Sequence, residues 1–127
     1  FRSWSGSVLI RNPDSLRTIH RRYLEAGADM IQSATYQARP ELLLADYPTF
    51  SREDAEELVR FAVRMAVEER NRWETETSKR CTVAVPLGSY AVILGDGAEY
   101  RGNYEATASI LEPFYNSIMD VVKFEQR

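Results

Sequence analysis

The sequence predicts an α/β fold built around a parallel sheet, and three observations carry that expectation. Helix-like and strand-like segments alternate as helix, strand, helix, strand, helix, strand. The strand candidates, at 28–36, 82–87 and 120–124, are short and largely apolar or β-branched, as buried parallel strands are. The length of 127 residues fits about one domain, and no repeat, low-complexity tract or linker divides it.

Residues 3–10 form a short mixed segment with Trp4, Val8, Leu9 and Ile10. Asn12-Pro13 then supplies a helix-capping side chain followed by proline at the first helical position. Leu16, Ile19, Tyr23 and Leu24 recur at helical spacing until Gly27, which suits a C-terminal cap, so a helix is expected over 13–26. Residues 28–36 read as the first strand. Pro40 and Pro48 bracket Leu42-Leu43-Leu44, which predicts a loop with about one helical turn over 37–50. The strongest helix is expected from Ser51 to about Arg72. Ser51 and Asp54 resemble a capping box, and Ala55, Leu58, Val59, Ala62 and Ala66 form an apolar stripe. Its many Glu and Arg residues read as a solvated face. A polar linker over 73–80 leads to the second strand, 82–87, in which Pro86 cannot donate to a ladder. Four glycines predict a long loop over 88–104. A weaker helix over 106–119, broken or kinked at Pro113, precedes a third strand at 120–124.

Composition excludes several function classes. Hydrophobic residues make up 44% and charged residues 28%, which argues against intrinsic disorder. The net charge of −3, with no basic run, is unsuited to phosphate-backbone binding. No apolar run is long enough to suggest a membrane span. One cysteine, Cys81, excludes an internal disulfide framework and fits a reducing compartment such as the cytosol. With one histidine, His20, a four-ligand Cys/His zinc cage is out of reach for one copy of the chain.

Ligands of parallel α/β folds bind beyond the carboxyl ends of the strands. The first strand ends Ser33-Ala34-Thr35-Tyr36-Gln37, the second Gly88-Ser89-Tyr90, the third Glu125. Hydroxyls, tyrosines and a carboxylate on one face would suit an amino acid, whose ammonium pairs with a carboxylate and whose carboxyl takes hydroxyl or backbone N–H groups. The same residues would serve equally well simply to finish strands. Gly95-Asp96-Gly97 reads as a turn, since it lacks a phosphate-loop pattern. His20 reads as a surface or packing residue, Cys81 as a buried structural thiol, and Trp4 and Trp73 as packing residues.

Four ordered stretches resemble the homocysteine S-methyltransferase family. They are Trp4-Ser5 with Val8-Leu9-Ile10; Asn12-Pro13 through Tyr23-Leu24-Glu25-Ala26-Gly27-Ala28-Asp29 to Thr35-Tyr36-Gln37-Ala38; Leu87-Gly88-Ser89-Tyr90 with residues 97–104; and Asp120-Val121-Val122-Lys123-Phe124-Glu125. The resemblance implies a (β/α)8 barrel, of which this chain would supply about strands two to four with their helices. It implies transfer of a methyl group to the homocysteine thiol, forming methionine. The donor would be S-methylmethionine or S-adenosylmethionine, betaine, or a cobalamin-bound methyl. Family members hold zinc with three cysteine thiolates, and the metal stabilises the substrate as the nucleophilic thiolate. By position, Glu125 matches the glutamate that contacts the homocysteine ammonium. Thr35 and Tyr36, and Gly88, Ser89 and Tyr90, match strand ends beside the substrate pocket.

The departures are also legible. A full barrel takes about 250 residues. The family's acidic first strand with its Gly-Gly turn would lie before Phe1, its three zinc cysteines would lie beyond Arg127, and Cys81 matches none of them. The helix between Ile110 and Asp120 is shorter than the family's, and Gln126-Arg127 replaces the usual Thr-x-Pro. The expectation is therefore a partial homocysteine-binding domain, truncated at both ends, inactive alone, whose uncovered sheet edges invite self-association. A non-catalytic truncated paralogue acting through another chain is the alternative.

Overall fold

The computed structural model describes residues 2–123 and 125. A 3-10 turn at Trp4–Ser7 runs into α1 (Val8–Arg11), followed by α2 (Pro13–Glu25), β1 (Met30–Gln32), α3 (Pro40–Asp46), α4 (Arg52–Thr77), β2 (Thr82–Ala84), α5 (Tyr90–Leu94), α6 (Ala98–Arg101) and α7 (Ala108–Val122). β1 and β2 pair in parallel, with Met30 opposite Thr82 and Gln32 opposite Ala84. α3 and α4 make the connection between them.

Local chemistry sets the first helix as expected. The Asn12 side chain accepts from the Ser15 amide, and Pro13 opens α2. At the other end Gly27 has φ +95°, and the amides of Gly27 and Ala28 donate to the Leu24 and Tyr23 carbonyls. That pair of bonds turns the chain directly into β1. α4 begins at a complete capping box: the Ser51 hydroxyl accepts from the Asp54 amide, and the Asp54 carboxylate accepts from the Ser51 amide. The helix does not stop near Arg72. It continues to Thr77 because Trp73 packs with Leu24, Ile31, Ala66 and Cys81, while Arg21 of α2 holds Glu76 and lies 5.1 Å over the Trp73 ring. Ser78, at φ +58°, then ends it.

The apolar stripe of α4 is the spine of the core. Ala55, Val59, Val63 and Val67 pack with Leu43 and with Ile118, Val121 and Val122, against Val83, Val85 and Leu87 of the second strand segment. Ala62 and Met65 pack on Leu9 and Ala38. Only one face of the sheet is covered: Ile31 is buried among the helices, while Met30 and Gln32 are exposed. No described helix is long and apolar enough to cross a membrane.

Further expectations are corrected. The third strand is absent among the described residues: α7 runs through Asp120, Val121 and Val122, and the Lys123 amide donates to Met119 O. Phe124 lies outside the described residues. Ile118, Val121 and Val122 fall at i, i+3 and i+4, so a helix buries all three against α4. Among the described residues the sheet therefore has two strands, not three. α7 also passes through Pro113 without ending, forfeiting the one ladder bond that proline cannot donate. The two strands are each three residues long, because Pro86 interrupts the ladder and the Thr35 hydroxyl takes over its carbonyl. Finally, α3 makes nearly two turns rather than one, and the loop after Gly88 holds α5 and α6, ended by Gly95 and Gly102 in the left-handed region.

Candidate functional site at the strand exits

Beyond the last ladder bond, Ser33 N to Ala84 O, the two exit segments remain stitched together. The Thr35 hydroxyl donates to Pro86 O at 2.6 Å, and Ser33 Oγ lies 3.0 Å from Thr35 Oγ1. Thr35 has spent its single proton on Pro86, so Ser33 is the donor of the second bond. At Gly88, φ is +70°, and a Cβ there would stand 2.2 Å from the Tyr36 carbonyl oxygen. This close approach admits only glycine. Gly88 thus brings Ser89 and Tyr90 beside Tyr36.

Ser89 precedes α5, and its buried hydroxyl has no hydrogen-bond partner among the described residues. The Tyr90 ring meets Phe114 of α7 edge-on at 5.2 Å and lies 6.3 Å from Tyr104. Tyr36 is 45% exposed. Five of the six expected site residues, Thr35, Tyr36, Gly88, Ser89 and Tyr90, therefore gather at one end of the sheet. A cleft of about 490 Å³ runs from this end between α2 and β1, lined by His20, Tyr23, Met30, Gln32, Ser33 and Tyr36.

Glu125 stands apart from that group. Its carboxylate is 3.4 Å from Arg64 Nη1 on α4, and Arg64 also pairs with Glu57. Because α7 stays helical to Val122, the chain delivers Glu125 to the α4 side.

Some residues that sequence reasoning set aside belong to this end. Trp4 is not a packing residue: it is 71% exposed and has φ +40°, rare for a residue with a side chain. Ser5 beside it donates through its amide and hydroxyl to Gln37 Oε1, at 3.2 and 2.8 Å. Arg39 is 1% exposed and links this end to α7. Nothing in the local pattern around Arg39 signals burial, since arginine is ordinarily a surface residue. His20 is buried, its Nε2 without a partner among the described residues. Burial lowers its pKa, against the pull of nearby Glu69, with Arg17 adding to the lowering.

Metal chemistry does not fit these residues. Cys81 is buried at the opposite end of β2, its thiol pushed up by burial. Among the described residues no group of three or more His, Cys, Asp or Glu could hold a metal ion. What the strand-exit cluster offers is hydroxyls, tyrosines and an approachable backbone, groups that can hydrogen-bond a small polar molecule.

The family model for homocysteine S-methyltransferase matches residues 2–126. The chain belongs to the homocysteine S-methyltransferase family. Homocysteine S-methyltransferase 1 of Arabidopsis thaliana is 37% identical over 128 residues, covering 94% of this chain and 39% of the relative. Homocysteine S-methyltransferase YbgG of Bacillus subtilis is 32% identical over 121 residues, covering 91% and 38%. The crystal structure of the metallated homocysteine methyltransferase MmuM of Escherichia coli superposes with a TM-score of 0.85 at 28% identity, over 98% of this chain and 43% of that one. The chain thus spans about two fifths of the length of the curated relatives it matches. Its α/β architecture is that of the corresponding part of MmuM.

Proposed function

We propose that this chain is the homocysteine-side portion of a (β/α)8 methyltransferase that forms methionine from homocysteine. The single observation that carries this reading is the family match over residues 2–126, within which the strand exits converge. Thr35, Tyr36 and the 88–90 turn would form one wall of the substrate pocket. The exposed Tyr36 ring would flank the substrate, and the unpartnered Ser89 hydroxyl suits its carboxylate. Glu125 would take the substrate ammonium once it leaves Arg64.

Zinc, which the resemblance implies, would make the homocysteine sulfur a thiolate. The residues of this chain do not fit it, so its ligands would come from elsewhere. This chain's own contribution is then to bind and orient the amino-acid end of homocysteine, so that the sulfur meets the donor methyl in line. Cytoplasmic placement and self-association through the open edges of β1 and β2 belong to the same proposal.

The test compares two proteins. The complete product of the encoding transcript should form methionine from homocysteine with S-methylmethionine, S-adenosylmethionine, betaine or methylcobalamin, and a zinc chelator should abolish this. The 127-residue chain alone should form none and retain no stoichiometric zinc on dialysis. Failure of the complete product with every donor would overturn the reading. The non-catalytic alternative prevails if the transcript encodes this chain alone.

A further inference from the structure

A buried arginine stands behind the strand-exit cluster. The Arg39 guanidinium lies 3.7 Å over the Phe114 ring. Its Nη2 donates to Phe114 O at 3.1 Å and reaches Ser117 Oγ at 3.5 Å, while Nη1 reaches Leu87 O at 3.5 Å. Nε pairs with Glu41 at 3.3 Å. Leu87 immediately precedes the 88–90 turn, and the Phe114 ring that Arg39 covers is the one that Tyr90 meets edge-on. One side chain therefore grips the turn twice, through its backbone at Leu87 and through the Phe114 ring at Tyr90. Thr35 and Gly88 join the two exit segments to each other, whereas Arg39 alone among these joins them to α7.

A buried cation with one half-exposed carboxylate beside it is a costly choice if packing were its only task. An apolar side chain of similar volume would fill the same space. What the planar fork adds is direction: several donors held in one plane, aimed at two carbonyls from different elements, with its face on an aromatic ring.

We propose that Arg39 is the positioning residue that sets the 88–90 turn, and with it one wall of the substrate pocket. The inference rests on the reading of that turn as substrate-binding. Arg39 touches no substrate itself. It acts through Leu87 and through the Phe114–Tyr90 contact.

The experiment is amide NMR and hydrogen exchange on the 127-residue chain, with Arg39→Met and Arg39→Lys. The probes are the Gly88, Ser89 and Tyr90 amide resonances, the Tyr90–Phe114 ring contact, and exchange of the Val92 amide, which donates to Ser89 O. Ile31 and Val63 report on the sheet and α4. In Arg39→Met, Val92 exchange should rise roughly tenfold, the scale of one lost charge-assisted bond, with Ile31 and Val63 unchanged. Arg39→Lys should fall between, keeping the charge and losing the fork. Unchanged Val92 exchange, or an equal rise at Ile31 and Val63, would overturn the proposal. If Arg39→Met does not fold, Arg39→Lys decides: Val92 exchange must rise above that of the parent while Ile31 and Val63 hold, and unchanged Val92 exchange sinks the proposal. L-Homocysteine titration of the parent chain separates the two readings. Shifts at 35, 36 and 88–90 support the substrate site, and Arg39→Met should then weaken binding roughly tenfold. Absence of shifts there ends the substrate reading, and the exchange comparison still decides whether Arg39 sets the turn.

Discussion

Replacing Gly88 by alanine tests the joint between the two strand exits. Two separate costs apply. The backbone at φ +70° is left-handed, which costs a residue with a Cβ roughly 1–2 kcal/mol. The new methyl would stand 2.2 Å from the Tyr36 carbonyl oxygen, a backbone atom that moves only with its segment. Relieving such an overlap costs about 1–3 kcal/mol. The sum is roughly 2–5 kcal/mol, or a drop in Tm of about 8–20 °C at some 4 °C per kcal/mol for a chain of this size. Gly27→Ala is the control. It also has positive φ, +95°, but nothing lies within 4 Å of its added Cβ, so it should lose only about 1 kcal/mol. The assay is thermal and urea unfolding of both variants against the parent. Equal losses in the two would refute the reasoning, because they would show that backbone conformation alone matters and the contact with Tyr36 does not. A Gly88→Ala chain that is unfolded beside a folded Gly27→Ala would support it.

Three further outcomes are expected. Thr35→Val deletes the hydroxyl that donates to Pro86 O and accepts from Ser33, and should destabilise by about 1–3 kcal/mol, more than Thr35→Ser; equal losses by urea titration would contradict this. Ser51→Ala breaks the capping box of α4 and should cost about 1 kcal/mol, and Asp54→Ala added to it should cost little more, since the two share one network; additive losses would argue against a reciprocal cap. His20 has its folded-state pKa lowered by burial, so the unfolded chain binds the extra proton first as pH falls. Its contribution is full above the unfolded value of about 6.5 and is lost as pH drops from there towards the lowered folded value. The pH dependence of urea midpoints should flatten in that window for His20→Gln, and an unchanged slope would refute the assignment.

The parts of the fold that the sequence discloses are those governed by neighbouring residues. Asn12-Pro13, Gly27 and the Ser51–Asp54 pair each act within one turn of chain, and α2 and the start of α4 lie where they indicate. The end of α4 was not legible, because Trp73 and Glu76 are held by Arg21, more than 50 residues earlier. At residues 120–122 the pair Val121-Val122 satisfies a strand pattern and a helix pattern equally, and contact with α4 decides for the helix. At the site, Thr35, Tyr36 and 88–90 followed from the rule that parallel strands present their carboxyl ends, once two strands were placed. Arg39 and Trp4 did not follow: one is buried by α7, far along the chain, and the other is exposed by a strained turn.

Glu125 is where position and proposed role diverge, and magnitudes show what separates them. Its pairing with the partly exposed Arg64 at 3.4 Å contributes roughly 0–1 kcal/mol, so that bond is easily exchanged for a substrate ammonium. The helix is the stronger restraint. Ile118, Val121 and Val122 are buried in the core, and burying each such side chain is worth about 1.5–3 kcal/mol. To reach the strand exits, residues 120–122 would have to unwind and rebury the two valines on the sheet. β2 has a place for them. Thr82 N and Ala84 O bond towards β1, so by the alternation of a parallel ladder the Val83 N–H and C=O point to the other, open edge. A third strand paired there would end at Glu125, on the side of Ser89. Whether Glu125 serves the pocket is thus a competition between two ways of burying Val121 and Val122, against α4 or beside β2. The backbone chemical shifts of those two valines, with and without homocysteine, read out the winner. A helix that persists under saturating homocysteine removes Glu125 from the site, while strand shifts that appear with the ligand put it there.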